Sequence, residues 1–365
     1  MRKLKVLGVL LLLCLVLSLT ACNDKKDENV IAPDKIDNAV ADNSDESEPE
    51  EDLVEEDNHE GEALSPLTGL YVDEDVVKYR PLAIMMGNTK SAAPQSGIGS
   101  ASIVYEIPVE GGITRLMSII EGYKEIDKIG PCRSCRYYFC HFAAEYDALY
   151  SHFGQSKYAK DTLARKEVLN INGLKGASGE CYYRTKDRKA PHNAYAKGEK
   201  IYAFADKNYG VEYPESHIDH FLFADLDTIN TLDEGEDALK VTPGYQVDAP
   251  YFTYNADDRL YYRFQYKDKH IDQETGEQLT CTNIIIELVS ISYFDDKESL
   301  KIKTVGSGEG YFVTNGKVVP ITWKKDSEFK TTHYYMSDGS EIKLNRGKTW
   351  VLLVNEKNKN NIKFN

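Results

Sequence analysis

The pattern of apolar positions divides the folded part of the chain into two halves. In the first half, apolar or β-rich runs at 81–86, 102–107 and 113–120 predict strands. Pro108 and the Gly111-Gly112 pair separate the last two runs, which predicts a hairpin with a glycine corner. This half therefore begins with closely connected strands.

Helical spacing follows these strands. Four apolar residues recur at i, i+3, i+4 and i+7, which predicts an amphipathic helix with Ser134 as its N-cap: Phe139, Phe142, Ala143 and Tyr146. A strand at 148–152 and a second helix at about 155–166 are predicted next. Because strands alternate with helices, residues 65–215 are predicted to form an N-terminal α/β domain with a mixed sheet.

From about residue 220, only strand-like runs remain. They are found at 221–224, 260–266, 282–291, 300–305, 311–314, 318–323 and 349–354. Turn dipeptides separate them, and Asn315-Gly316 is the clearest hairpin signal. Residues 216–365 are therefore predicted to form a β-rich antiparallel C-terminal domain, which makes the fold class α+β.

The first 22 residues have the features of a lipoprotein signal peptide. Arg2, Lys3 and Lys5 precede an apolar run at 6–19, which is shorter than a membrane-spanning helix requires. The run ends in Leu-Thr-Ala-Cys22, which resembles a bacterial lipobox and implies that Cys22 is acylated and becomes the mature N-terminus. The alternative is an ordinary signal peptide that contains a cysteine. We expect a lipid anchor in the cell membrane, with the protein on its extracytoplasmic face.

Charge is concentrated in one segment. The net charge of the chain is −15, and residues 23–64 carry 17 acidic against 3 basic residues with almost no aromatic content. This composition predicts a disordered tether. No run of Lys and Arg occurs beyond the N-terminus, so the sequence argues against nucleic acid as a ligand.

Charged and polar residues that could bind a ligand are densest between residues 106 and 193. They lie at predicted strand ends, on the glycine corner and at a helix start, where planar guanidinium groups suit phosphate or carboxylate. The predicted partners are the membrane and an anionic cell-wall or lipid-phosphate ligand. The predicted ligand-binding residues are Glu106, Glu110, Arg115, Arg133, Arg136, His152, Arg188, His192 and Asn193. In the alternative interpretation, the arginines pair with Glu106, Glu110 or Glu145 as a structural network.

The cysteines leave three interpretations open. Cys132-x-x-Cys135 at a helix start could be a redox pair, and Cys140-His141 could add metal ligands. The second half of a zinc motif is missing, so incidental thiols are the favoured interpretation. No metal, cofactor or catalytic residue is assigned.

Several motifs together resemble the YerB family of Gram-positive lipoproteins, two-domain proteins of unassigned activity. They include Pro66-Leu-Thr-Gly-Leu, Arg80-Pro-Leu-Ala-Ile-Met, Gly130-Pro-x-Arg-Ser-x-Arg, Arg188-Lys-Ala-Pro-His-Asn and His270-x-Asp-x-x-Thr-Gly-Glu-Gln-Leu. The resemblance covers nearly all of residues 65–355. It departs at Cys132 and Cys135, where the family has small apolar residues.

The resemblance implies a membrane-anchored envelope protein but supplies no reaction. Our leading hypothesis is a lipoprotein that binds an anionic envelope ligand or a protein partner through its arginines. A fainter similarity to the LytR-CpsA-Psr phosphotransferases supports the alternative, an enzyme acting on lipid-linked cell-wall precursors. A partner-binding scaffold without a small ligand is a third hypothesis.

Overall fold

The computed structural model describes residues 58–365. Cys22, the signal peptide and most of the predicted tether lie outside the described residues. Regular structure starts slightly earlier than predicted, because Glu62–Leu64 forms a strand that pairs with Tyr71–Asp73. These strands precede and follow Ser65, the residue at which order was expected to begin.

Within residues 58–365 the chain forms three α-helices and 25 strands. The helices α1 to α3 are Glu74–Val77, Tyr137–Ala144 and Gly198–Asn208. The strands of the N-terminal half, β1 to β9, are Glu62–Leu64, Tyr71–Asp73, Leu82–Gly87, Ile103–Pro108, Thr114–Ile120, Leu149–His152, Leu169–Asn172, Tyr182–Arg184 and Ala194–Ala196. None of the described helices is long and apolar enough to span a bilayer.

The C-terminal half consists of strands and one 3-10 segment. Strands β10 to β17 are Leu222–Phe223, Glu236–Asp237, Lys240–Thr242, Tyr251–Asn255, Leu260–Gln265, Asp268–Lys269, Thr280–Cys281 and Asn283–Val289. Strands β18 to β25 are Ile291–Tyr293, Leu300–Ile302, Gly306–Thr314, Lys317–Lys325, Thr332–Tyr335, Lys343–Leu344, Thr349–Asn355 and Lys363–Phe364.

One mixed sheet of 11 strands organises the described chain. Its order is β11-β21-β20-β17-β24-β4-β5-β3-β6-β7, and β22 pairs with β21. Most of the C-terminal strands pair antiparallel, but β24 runs parallel both to β17 and to β4. Strand β24 therefore joins the two halves of the chain into a continuous sheet.

Both faces of this sheet are covered. Helix α2 packs on one face, where Phe139 and Phe142 join Tyr105 and Met117 in one apolar core. On the other face lie α3 and a second, antiparallel sheet that contains β12 to β16 and β25. Because both faces are buried, the central strands are mostly apolar rather than alternating with polar residues, and the few charged side chains in them, such as Glu106 and Arg115, are buried too.

Several local predictions are confirmed. The 81–86 run forms β3 with every residue buried, and the 102–107 and 113–120 runs form the antiparallel β4–β5 hairpin. Asn315 and Gly316 connect β20 and β21 with positive φ angles of 50° and 75°, as a tight hairpin turn requires. The fold class, an N-terminal α/β part followed by a strand-rich part, is also confirmed.

Two helix predictions are wrong in detail. The residue at the N-cap position of helix α2 is Arg136 and not Ser134, and its side chain makes no capping hydrogen bond. The predicted helix at 155–166 is replaced by two 3-10 turns at 157–159 and 162–164. Its apolar stripe contains only two buried residues, Ala159 and Leu163, which is too little buried surface to stabilise three helical turns.

The division at residue 215 stays a prediction, but the sheet continues across the two halves. We expect a chain that ends at Lys348 to lose cooperative folding in both halves. It lacks β24, whose buried side chains include Trp350, Val351, Leu352 and Leu353. At about 1.5–3 kcal/mol for each buried side chain, this loss is comparable to the total stability of a domain.

The measurement is thermal unfolding followed by circular dichroism. A chain that ends at Asn361 is the matched control, since it loses the short strand β25 and keeps β24. A truncated chain in which residues 65–215 keep their own sharp transition would show that the N-terminal half folds independently.

Candidate functional site

Three of the predicted arginines meet where β5 begins and α2 starts. Arg115 is the second residue of β5 and is 5% exposed, while Arg133 and Arg136 are half-buried in the segment before α2. The Ser134 carbonyl oxygen accepts hydrogen bonds from Arg115 Nη1 at 2.7 Å and Arg136 Nη1 at 3.4 Å. Sharing this acceptor brings the two guanidinium groups together. We call Glu110, Arg115, Arg133 and Arg136 the arginine cluster.

Among the residues that the structure describes, only one arginine of the cluster is paired with a carboxylate. Arg136 donates to Glu110 through Nε at 2.8 and 3.0 Å and through Nη2 at 2.5 Å. Burial favours a higher pKa for Glu110, but the hydrogen bonds and charge of Arg136 outweigh burial and lower that pKa below its ordinary value. This pair is therefore ionised and carries no net charge.

The other two arginines are not neutralised within the described residues. The arginines that lie within 4 Å of a carboxylate in residues 58–365 are Arg80, Arg136, Arg165 and Arg263. Arg133 donates through Nη1 to the Pro191 carbonyl at 3.2 Å. Burial, together with the charges of Arg136 and Arg133, lowers the pKa of Arg115 to about 9. Arg115 is still charged at neutral pH, so the cluster has two positive charges in excess.

Glu106 does not join this cluster, which corrects the sequence-based expectation. Successive residues of a strand point to opposite faces of a sheet. Arg115 lies opposite Ile107 in the β4–β5 pair, whereas Glu106 lies opposite Leu116 and points to the other face. There, Glu106 is fully buried and forms an ion pair with Arg263 Nη2 at 2.8 Å.

The surroundings of Glu106 form a second polar group, which we call the buried acid cluster: Asn88, Glu106, Thr114, Asp248 and Arg263. Thr114 Oγ1 lies 2.8 Å from Glu106 Oε1 and 2.9 Å from Asp248 Oδ2. Asn88 Nδ2 lies 3.2 and 3.0 Å from the same two carboxylate atoms. The carboxylates of Glu106 and Asp248 thus share both donors.

Burial and the neighbouring charges of the buried acid cluster shift the pKa of Glu106. Burial raises the pKa of Glu106 to about 8, Arg263 opposes the rise, and Asp248 adds to it. Four buried polar atoms in the cluster have no hydrogen-bond partner within residues 58–365: Asn88 Oδ1, Asp248 Oδ1, and Nε and Nη1 of Arg263. The guanidinium of Arg263 also lies 4.4 Å from the ring centre of Trp350.

Sequence reasoning missed Asn88, Asp248 and Arg263. The one available signal was the alternation of β14, in which Tyr261, Arg263 and Gln265 are all buried. An arginine at an inward position of an alternating strand indicates a buried acidic partner, because an unpaired buried charge is costly. The identity of that partner, 157 residues away, could not be read from the pattern.

The predicted site residues from later in the chain are mostly held by hydrogen bonds to other parts of the protein. His152 is fully buried between the Gly154 carbonyl at 2.7 Å and Asn170 Oδ1 at 2.8 Å. Arg188 donates to the carbonyl oxygens of Ala92 and Pro94. Their ligand-binding role stays a prediction, and their observed contacts stabilise loops.

His192 and Asn193 lie beside the Pro191 carbonyl that accepts from Arg133. Asn193 bonds to Arg184 and to the Thr185 carbonyl, which holds the loop closed. Burial and the nearby charges of Arg133 and Arg188 lower the pKa of His192. Arg133 thus lies close enough to His192 to affect its pKa.

The thiols do not form a Cys132-x-x-Cys135 redox pair, which was one of the three interpretations that the sequence left open. Cys132 packs into the core on one face of the sheet and Cys135 into the core on the other. Burial raises the pKa of the Cys132 thiol, the opposite of what a reactive thiolate requires. His141 bonds to Thr304 Oγ1 at 2.8 Å. No group of three or more His, Cys, Asp and Glu side chains in residues 58–365 is arranged to hold a metal.

The raised pKa of Glu106 predicts how stability depends on pH. A carboxyl group whose pKa is raised to about 8 binds its proton more tightly in the folded state, so the free energy of unfolding falls as pH rises from about 4.5 to 8. Glu287, whose pKa burial also raises to about 8, adds to the same slope. We expect Asp248→Asn to lower the pKa of Glu106 and to reduce this slope.

Urea unfolding at pH 5, 6, 7 and 8 measures the slope. Asp338→Asn is the control, since this exposed acid has a lowered pKa and titrates below the window. Glu287→Gln should remove a separate part of the slope, so the double variant should show a smaller slope than either single variant. An unchanged slope in Asp248→Asn would contradict the coupling of the two acids.

Comparisons with known proteins agree on one relationship. The N-terminal domain of the family described as "Protein of unknown function (DUF3048)" matches residues 67–212, and its C-terminal domain matches residues 240–351. The chain is 29% identical over 301 residues to "Putative lipoprotein YerB" of Bacillus subtilis (strain 168), covering 80% of this chain and 86% of that protein.

A solved structure extends the similarity to the fold. The crystal structure of the YerB protein from Bacillus subtilis matches with a TM-score of 0.70 and 26% sequence identity, covering 81% of this chain and 98% of that chain. The similarity thus includes both halves of the described chain. Together, the two domain matches show that the chain belongs to the DUF3048 family of proteins of unknown function.

Proposed function

We propose that the protein is a lipoprotein anchored to the extracytoplasmic face of the cell membrane, where its arginine cluster binds an anionic group of the envelope. The lipobox-like segment that ends at Cys22 supports the anchor, and so does the printed name of the Bacillus subtilis relative. The acidic segment 23–64 would then space the folded part from the membrane surface.

The observation that carries the binding proposal is the unbalanced charge of Arg115 and Arg133. Burying a charge costs free energy unless an opposite charge lies nearby. Arg115 is 5% exposed, yet within residues 58–365 its one side-chain hydrogen bond goes to a neutral carbonyl oxygen. A bound anion would supply the missing negative charge.

The unused donors of the cluster suit an oxyanion. A guanidinium group has five N–H donors in a planar fork, which matches two oxygens of a phosphate or carboxylate. Among the described residues, the guanidinium groups of Arg115 and Arg133 each donate a single hydrogen bond to a protein acceptor, and Arg136 is already occupied by Glu110. The proposed ligand group is therefore a phosphate or carboxylate bound between Arg115 and Arg133.

We expect Arg133→Ala to weaken binding of inorganic phosphate or a glycerol-phosphate wall fragment by about 1.5–3 kcal/mol, the range for a hydrogen bond to a charged group. The variant should stay folded, because the loss of the Arg133 side chain relieves repulsion from Arg136 and leaves no carboxylate without its partner. Isothermal titration calorimetry measures binding, and thermal unfolding with and without phosphate measures stability.

Arg165→Ala is the charge-matched control, since Arg165 is exposed and paired with Glu167. A parent protein that gains no stability from phosphate, combined with a large drop in melting temperature for Arg133→Ala, would overturn the binding proposal. Turnover of a polyprenyl-pyrophosphate substrate by the parent protein would instead support the phosphotransferase alternative.

The anchor is tested separately. We expect Cys22→Ala to abolish incorporation of labelled palmitate and to leave an unprocessed precursor, because the thiol that accepts the lipid is gone. Cys281→Ala, which removes a fully buried thiol of the folded part, should be labelled like the parent. Equal palmitate incorporation in Cys22→Ala and the parent would contradict the anchor.

A further inference from the structure

Two thiols touch at the start of α2. The Sγ atoms of Cys135 and Cys140 are 3.5 Å apart, and both residues are fully buried. Cys135 lies two residues before the helix and Cys140 is the fourth residue of the helix, so the two side chains meet across its first turn. Both occupy the apolar core on the α2 face of the sheet.

The other thiols of the described chain are separated from this pair. Cys132 points to the opposite core and donates to the Ile129 carbonyl at 3.3 Å. Cys181 donates to the Lys200 carbonyl at 3.4 Å, and Cys281 is buried in the opposite core. Within residues 58–365, Cys135 and Cys140 are thus the pair in sulfur–sulfur contact.

We propose that Cys135 and Cys140 form an intramolecular disulfide in the mature protein. The inference rests on the proposed extracytoplasmic location, since thiols outside the cytosol are not kept reduced by cytosolic reductants. Closing the contact to a bond of about 2.05 Å requires a sulfur movement of about 1.5 Å, which rotation of the side chains supplies.

The chemistry is a thiol–disulfide exchange. Each cysteine loses its thiol proton, the two sulfurs form one bond, and two electrons pass to a protein or small-molecule disulfide, which is reduced to two thiols. Because both sulfurs are buried in the folded chain, the exchange takes place while the chain folds, before the core closes around α2.

The disulfide would fix the segment on which the arginine cluster is built. Arg136 lies between the two cysteines, and its Nη1 donates to the Cys135 carbonyl at 3.1 Å. The neighbouring Ser134 carbonyl accepts from both Arg115 and Arg136. Tying Cys135 to α2 therefore restrains the backbone acceptors that orient these guanidinium groups.

Peptide mapping tests the proposal directly, because trypsin separates the three neighbouring cysteines. Cleavage after Lys128, Arg133, Arg136 and Lys157 gives one peptide for each of Cys132, Cys135 and Cys140. The full chain is taken from membranes, alkylated at once with N-ethylmaleimide under denaturing conditions and digested without reduction. We expect most of the Cys135 tripeptide to be linked to the 137–157 peptide, and reduction to release both.

Two variants sharpen the result. Cys140→Ala should leave Cys135 alkylated as a free thiol, while Cys281→Ala should keep the linked peptide at the parent level. N-ethylmaleimide on both the Cys135 and the Cys140 peptides of the parent would overturn the proposal, and so would a link between the Cys132 and Cys135 peptides. The mapping involves no anion, so it is independent of the phosphate-binding result.

Discussion

The alternation of side chains along β4 and β5 separates two sets of charges that the chain brings to one end of the central sheet. Glu106 points to one face, where it contacts Arg263. Arg115 points to the other face, and among the described residues no carboxylate lies within 4 Å of its guanidinium group. Because a one-residue shift in register would exchange these faces, the β4–β5 pairing fixes both clusters at once. The surplus charge of the arginine cluster follows from this separation.

The position of β24 gives the sheet its continuity. It contributes Trp350, whose indole lies beside both Glu106 and Arg263, so the last long strand of the chain also encloses the buried acid cluster. Arg263 comes from the second, antiparallel sheet and Asp248 from the segment between β12 and β13. The buried acid cluster is therefore assembled from both halves of the chain, and it cannot form in either half alone.

Local features of the fold could be predicted from the sequence, and long-range ones could not. The Asn315-Gly316 turn and the buried strand β3 depend on adjacent residues, so their patterns were sufficient. The proximity of Arg115, Arg133 and Arg136 could also be predicted, since Arg115 follows the Gly111-Gly112 corner and the other two lie at the start of a predicted helix. The partner of Glu106 depends on packing between segments 157 residues apart, so it could not be predicted from a local pattern. The prediction of a helix at 155–166 was wrong because the spacing of apolar residues does not show how few of them are buried.

Within residues 58–365 Arg115 and Arg133 have no carboxylate partner, and we propose that they hold an oxyanion instead. The most direct measurement is a crystal structure with selenate added at near-physiological ionic strength, in which the anomalous signal of selenium locates the anion. We expect a selenium peak at a selenate ion whose oxygens accept hydrogen bonds from both Arg115 and Arg133. Well-ordered guanidinium groups that contact protein atoms alone, with no selenium peak beside them at saturating selenate, would contradict it.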